Sequence, residues 1–157
     1  MRPIEVFYHV FIPYDIRYML WSWWIDQQLQ AIQKSRLHKV AKIKMAITMP
    51  RYYGEISPGT GIPFRLDGQK QSRISFEEKV REYINTRYSF VEIIDVRDSH
   101  ESNIYKGQTL KLLWDRCQEG NIDVHYIHSK GVVSASPQAA NWREILNYYC
   151  ICKIYLS

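Results

Sequence analysis

The stretch Val124-His125-Tyr126-Ile127-His128-Ser129-Lys130-Gly131-Val132 is a short apolar strand that runs into a polar, cationic turn ended by glycine. A buried strand needs only apolar residues, so His128, Ser129 and Lys130 at its exit point to a site. In open α/β sheets, ligands lie just beyond the C-terminal ends of the strands. Helical spacing flanks the strand on both sides. Thr109 to Glu119 is expected to be a helix with Leu110, Leu113, Trp114 and Cys117 as its apolar face, stopped by Gly120-Asn121. On the other side, Ser136-Pro137 reads as an N-cap followed by proline in the first turn. Trp142, Ile145, Leu146 and Tyr149 would then form the core face of a last helix.

The same alternation extends back to the start of the chain. Ile4 to Ile12, rich in β-branched and aromatic residues and closed by Pro13, is expected to be a buried first strand. Asp15 can cap the helix after it, whose stripe is Tyr18, Trp21, Ile25, Leu29 and Ile32; Trp23 lies off that stripe and must pack elsewhere or be exposed. Lys42 to Met49 alternates strictly, with Ile43, Met45, Ile47 and Met49 on one face, which predicts a half-exposed strand near a sheet edge. Arg51 to Arg73 holds four glycines (54, 59, 61, 68) and two prolines (58, 63) and reads as a long irregular loop. Ser75-Phe76-Glu77-Glu78 is a capping box for a helix with Phe76, Val80, Tyr83, Ile84 and Tyr88 inward, and Phe90 to Val96 is the third strand.

Strands alternating with helices imply an α/β fold, a three-layer sandwich whose central sheet is mostly parallel. The 157 residues suit a single domain over 1–157 that buries roughly 70% of its unfolded surface. The chain stops at Tyr155-Leu156-Ser157 without a finishing strand, so an incomplete domain or a part of a larger protein is expected. The net charge of +5 favours anionic partners without choosing among them, and the scattered Lys and Arg argue for a solvated surface over a DNA-binding patch. Cys117, Cys150 and Cys152 are odd in number and lack zinc spacing, which favours a reducing compartment. No signal pattern and no apolar run of roughly 20 residues is present, so a soluble cytoplasmic protein without an integral membrane segment is expected.

Three strand exits would share one rim: Pro13-Tyr14-Asp15, then Asp95, Arg97, Asp98 and Glu101, then His128-Ser129-Lys130-Gly131. Carboxylates and a lysine there suit a divalent metal and a phosphate. Alternatively, Asp95 and Asp98 cap the following turn and Lys130 is solvated. The sequence has no Gly-x-Gly-x-x-Gly after the first strand, no phosphate loop, no Gly-x-Ser-x-Gly elbow and no His-Glu-x-x-His helix. His128 and Ser129 are neighbours on a strand and point to opposite faces, which disfavours a Ser-His nucleophile.

Tyr126-Ile127-His128-Ser129-Lys130-Gly131-Val132, followed by Asn141-Trp142-Arg143 and Tyr148-Tyr149, resembles a group of glycosyltransferase-like proteins of bacteria and large viruses. Their mark is His-Thr/Ser-Lys-Gly and then Trp-Arg on the next helix. Tyr8-His9-Val10 resembles their opening strand, and Asn103 to Leu110 resembles their segment before the motif. The resemblance implies a GT-A, Rossmann-like fold that binds a nucleoside diphosphate sugar. Such enzymes usually carry Asp-x-Asp at the end of the fourth strand, where it holds manganese or magnesium. Here His128-Ser129-Lys130 takes that place: the lysine can neutralise the diphosphate directly, and His128 can bind a divalent metal or the leaving phosphate.

The resemblance leads to a domain that binds the donor and moves its sugar to a glycan or other hydroxyl acceptor. Lys130, His128 and Arg143 are the candidates for the catalytic charge on the leaving diphosphate. Tyr8, His9, Tyr14, Asp95, Asp98 and Ser129 are the candidates for binding the nucleotide sugar. The alternative is a non-catalytic α/β module that binds a nucleotide or a protein, supported by the missing Asp-x-Asp and the missing acceptor half.

Overall fold

Four strands of the computed structural model form one parallel sheet. They are β1 (Ile4–Phe11), β2 (Ala41–Met49), β3 (Val91–Asp98) and β4 (Asp123–His128). Three helices connect them: α1 (Trp21–Lys34), α2 (Arg73–Arg87) and α3 (Gly107–Gln118). The structure describes residues 2–12, 21–49, 52–53, 55–56, 63–64, 71–98, 107–129, 141 and 144–145; at 52–53, 55–56, 63–64, 71–76 and 98 it describes the backbone. Tyr14, Asp15, Tyr18, Glu101, Lys130, Ser136, Pro137, Trp142, Arg143, Leu146, Tyr149, Cys150 and Cys152 lie outside the described residues, as does the Phe76 side chain.

The order across the sheet is β3-β2-β1-β4. The chain steps outward from β1 to β3 and then returns to the far side of β1. α1 and α2 pack on one face and α3 on the other, which is what crossovers of a single hand require when the direction of travel reverses. The fold is therefore an α/β sandwich of Rossmann-like order. Val6, Tyr8 and Val10 of β1 lie level with Ile43, Met45 and Ile47 of β2. They build the core with Ile25, Leu29 and Ile32 of α1 and Val80 and Ile84 of α2. Between Met45 and Ala46 the register of β3 slips by one residue. Ile94 is the extra residue, and the bulge keeps Ile93 and Val96 on the core side while turning Asp95 and Arg97 to the α3 side.

Several expectations need correction. β2 is central, flanked by β1 and β3, and its last five residues are buried. Its alternation separates two covered faces rather than core from solvent. Ala46 and Thr48 are small enough to fit under the second layer, and Lys44 turns back to Glu5 at 2.8 Å. The segment after β2 is not wholly irregular. Tyr52–Tyr53 pairs antiparallel with Gln71–Ser72, and Glu55–Ile56 with Pro63–Phe64. α2 begins at Arg73, two residues before the capping box.

α3 is rotated from its expected orientation. Thr109 is buried, Leu112, Leu113 and Arg116 are half-buried, and Leu110 and Trp114 are 44% and 65% exposed. The sheet beneath carries Glu5 and His9, and such buried polar groups need partners. Thr109 and Arg116, seven apart on one face, supply them. Gly120 does not have a left-handed backbone, and a Cβ there would meet nothing within 4 Å. In the last helix, Asn141, Glu144 and Ile145 are helical, but Ile145 is exposed rather than core-facing. Trp23 is 49% exposed and packs edge-on against Trp24. No helix among the described residues is long and apolar enough to cross a membrane.

Candidate functional site

The reversal of strand order falls between β1 and β4. At such a point the connections leaving two neighbouring strands diverge to opposite faces and open a crevice at their C-terminal ends. His9 and Phe11 stand at the end of β1, and His128 and Ser129 at the end of β4.

The register aligns the candidates in a row. Asp95 is level with Ala46, Ala46 with His9, and His9 with His128. All four side chains project to the α3 face, since residues level across a sheet share a face. With strands about 4.8 Å apart, His9 and His128 are immediate neighbours, whereas Asp95 lies roughly 14 Å from His128. The Asp95 carboxylate is taken up by Arg97, at 2.7 Å. Asp98 ends β3, level with Met49 in the register, and its side chain lies outside the description.

His9 is 3% exposed, and its Nδ1 lies 2.8 Å from Thr109 Oγ1 in the first turn of α3. His128 is half-buried and stacks on Tyr126, with ring centroids 5.8 Å apart. The Tyr126 hydroxyl has no hydrogen-bond partner among the described residues, and burial pushes its pKa up to about 12. Ser129 is tied to β1 twice. Its amide donates to the His9 carbonyl at 2.9 Å, and its Oγ accepts from the Phe11 amide at 2.8 Å. A hydroxyl thus stands in for a strand carbonyl at the last rung, and the described ladder of β4 ends there.

Tyr8 does not join His9. It is fully buried on the core face, where its hydroxyl donates to Gln28 Oε1. Burial holds that phenol far above its ordinary pKa. Gln28 in turn donates from Nε2 to the His128 carbonyl at 3.3 Å, so one buried amide of α1 braces both strand ends. Gln28 and Thr109 are the site residues that sequence reasoning missed. The available signal was a polar residue on the apolar stripe of α1, three after Ile25 and one before Leu29.

Among the described residues, no group of three or more His, Cys, Asp or Glu side chains is placed to hold a metal ion. Asp95 is engaged and distant, and His9 and His128 make two donors at most. The Asp98 side chain and Glu101, the other carboxylates expected on that rim, lie outside the described residues. Parallel strands bring the ends of β3 and β4 to one edge, and Lys130 lies outside the described residues.

Residues 67–153 match the family described as Domain of unknown function (DUF8361). The chain belongs to the DUF8361 family. No curated protein and no solved structure matches it. The DUF8361 match takes in α2, β3, α3 and β4 together with the His-Ser-Lys-Gly turn, but not β1 or β2. In DUF8361 terms, β3 and β4 are the outer strands of a sheet whose middle comes from residues before the match.

Proposed function

We propose that this chain is the donor-binding domain of a glycosyltransferase, moving a sugar from a nucleoside diphosphate sugar to a hydroxyl acceptor. The observation that carries the reading is the location of the His128-Ser129 strand exit, at the reversal point beside the end of β1. In this reaction the bond from the sugar to the diphosphate breaks and a bond to the acceptor oxygen forms. The diphosphate leaves with its negative charge, and fixed cations that meet that charge lower the barrier. Lys130 and Arg143 take this role, with His128 and His9 lining the crevice. Tyr8 stays in the core and acts through Gln28. No step is routed through a metal. The setting is cytoplasmic, a reading supported by the odd cysteine count and the free thiol of Cys117.

A second reading, a non-catalytic α/β module that binds a nucleotide or a protein, is favoured by the missing Asp-x-Asp after β4, where His128-Ser129 stands instead. A thermal-shift panel of nucleoside diphosphates, with and without manganese, tests the first reading. A uridine or other nucleoside diphosphate at 100 times its Kd adds about 2.7 kcal/mol of stability. Lys130→Ala removes most of that shift, because a hydrogen bond to a charged group is worth about 1.5–3 kcal/mol. Lys39→Ala, at an exposed position beyond α1, leaves the shift intact. Equal responses from the two variants, with the parent still shifted, point to the non-catalytic module. No nucleotide shift in the parent overturns the donor-binding reading.

A further inference from the structure

α1 and α3 are held to the sheet by different means. α1 buries Trp24, Ile25, Gln28, Leu29 and Ile32. In α3 the buried side chain is Thr109. Of its large apolar residues, Leu112 and Leu113 are half-buried while Leu110 and Trp114 face outward, so its apolar grip on the sheet is partial. Among the described residues, two polar contacts add to that grip. At its start, Thr109 meets His9 at 2.8 Å. At its end, Arg116 places Nε and Nη2 on the Glu5 carboxylate at 3.0–3.2 Å. Glu5 is 2% exposed and also receives Lys44. Directional contacts of this kind are lost together once the helix shifts by more than about an ångström, because hydrogen bonds weaken steeply with distance and angle.

His9 is buried with Thr109 of that first turn over it, so lifting the turn uncovers His9 to a ligand in the crevice between β1 and β4. We infer that α3 is a cover over His9, latched at its far end by the Glu5–Arg116 ion pair, that opens as a unit while the sheet, α1 and α2 stay folded. This inference rests on the reversal-point crevice as the binding site and names its gate. It does not depend on which ligand binds.

Native-state amide exchange read by mass spectrometry tests the opening without any ligand. In the parent protein, the amides of α3 are expected to exchange at least tenfold faster than those of α1, after correction for intrinsic rates. Arg116→Gln is expected to raise exchange across 107–118 by a further tenfold or so, the effect of losing a charge-assisted hydrogen bond, with α1 and β2 unchanged. The rate of diethylpyrocarbonate modification at His9 rises with it, while His38 reacts as before. Arg116→Lys, which keeps the charge but loses the two-nitrogen grip on Glu5, gives a smaller rise in the same place and serves if Arg116→Gln does not fold. Protection of α3 equal to that of α1 in the parent overturns the proposal. So does faster α3 exchange with no change at His9, or a rise spread evenly over α1 and β2. The nucleotide shift of the parent is a separate measurement, so failure of the cover and failure of the donor-binding reading are told apart.

Discussion

Glu5 lies on a strand buried on both sides, and it keeps its charge because Lys44 and Arg116 reach it from two other elements. Burial alone would raise its pKa. The hydrogen bonds and charges of Arg116 and Lys44 outweigh that and hold the carboxyl below its ordinary value. A carboxyl depressed in the folded state binds protons more readily when the chain unfolds. Its contribution to stability is therefore complete above the unfolded pKa, about 4.3, and is lost as pH falls through the folded value. Urea midpoints between pH 6 and pH 3 are expected to drop in the parent and to drop less in Glu5→Gln. At pH 6 that variant is less stable by about 1–3 kcal/mol, and in strong acid the two converge. A second residue with a local cost is Arg36, which ends α1 at φ 61° without being glycine. Arg36→Gly is expected to raise stability by about 0.5–1 kcal/mol in the same urea titration, because a side chain in the left-handed region costs about 1–2 kcal/mol and glycine returns part of this as chain entropy.

Between elements, the packing of α1 on α2 turns on Asp26. Its two carboxylate oxygens accept from the hydroxyls of Tyr83 and Tyr88, each at 2.7 Å, and Tyr88 is buried. Asp26→Ala removes the acceptor shared by both hydroxyls and is expected to cost about 1–3 kcal/mol by urea unfolding. The stripe of α1 was legible in the sequence at Ile25, Leu29 and Ile32, because those positions meet a sheet face that is apolar throughout. The stripe of α3 was not. Hydrophobic periodicity assumes that the covered side of a helix is its apolar side, and here the sheet beneath is polar at Glu5 and His9. Nothing in Gly107–Gln118 taken alone reveals what lies opposite Thr109 or Arg116.

At the scale of the molecule, the family segment and the folding unit differ. Residues 67–153 supply β3 and β4, which never touch; β1 and β2 separate them. Residues 67–157 produced alone are expected to show no cooperative thermal transition by circular dichroism, since neither strand has its partner and the core loses Val6, Tyr8, Val10 and Ile43. A cooperative melt of that segment would mean that its strands pair in some other way. The sequence by itself determined the fold class and the four strands to within one or two residues. Those follow from local period and from turn residues, which act over a few positions. Only the tertiary structure decided that β2 is central, that α3 rests on Thr109 and Arg116, that Tyr8 faces away from His9 into a bond with Gln28, and that Asp95 lies three strands from His128. Each of these depends on strand order, and strand order is set by which faces can be buried together across more than a hundred residues of chain, a constraint that no local pattern contains.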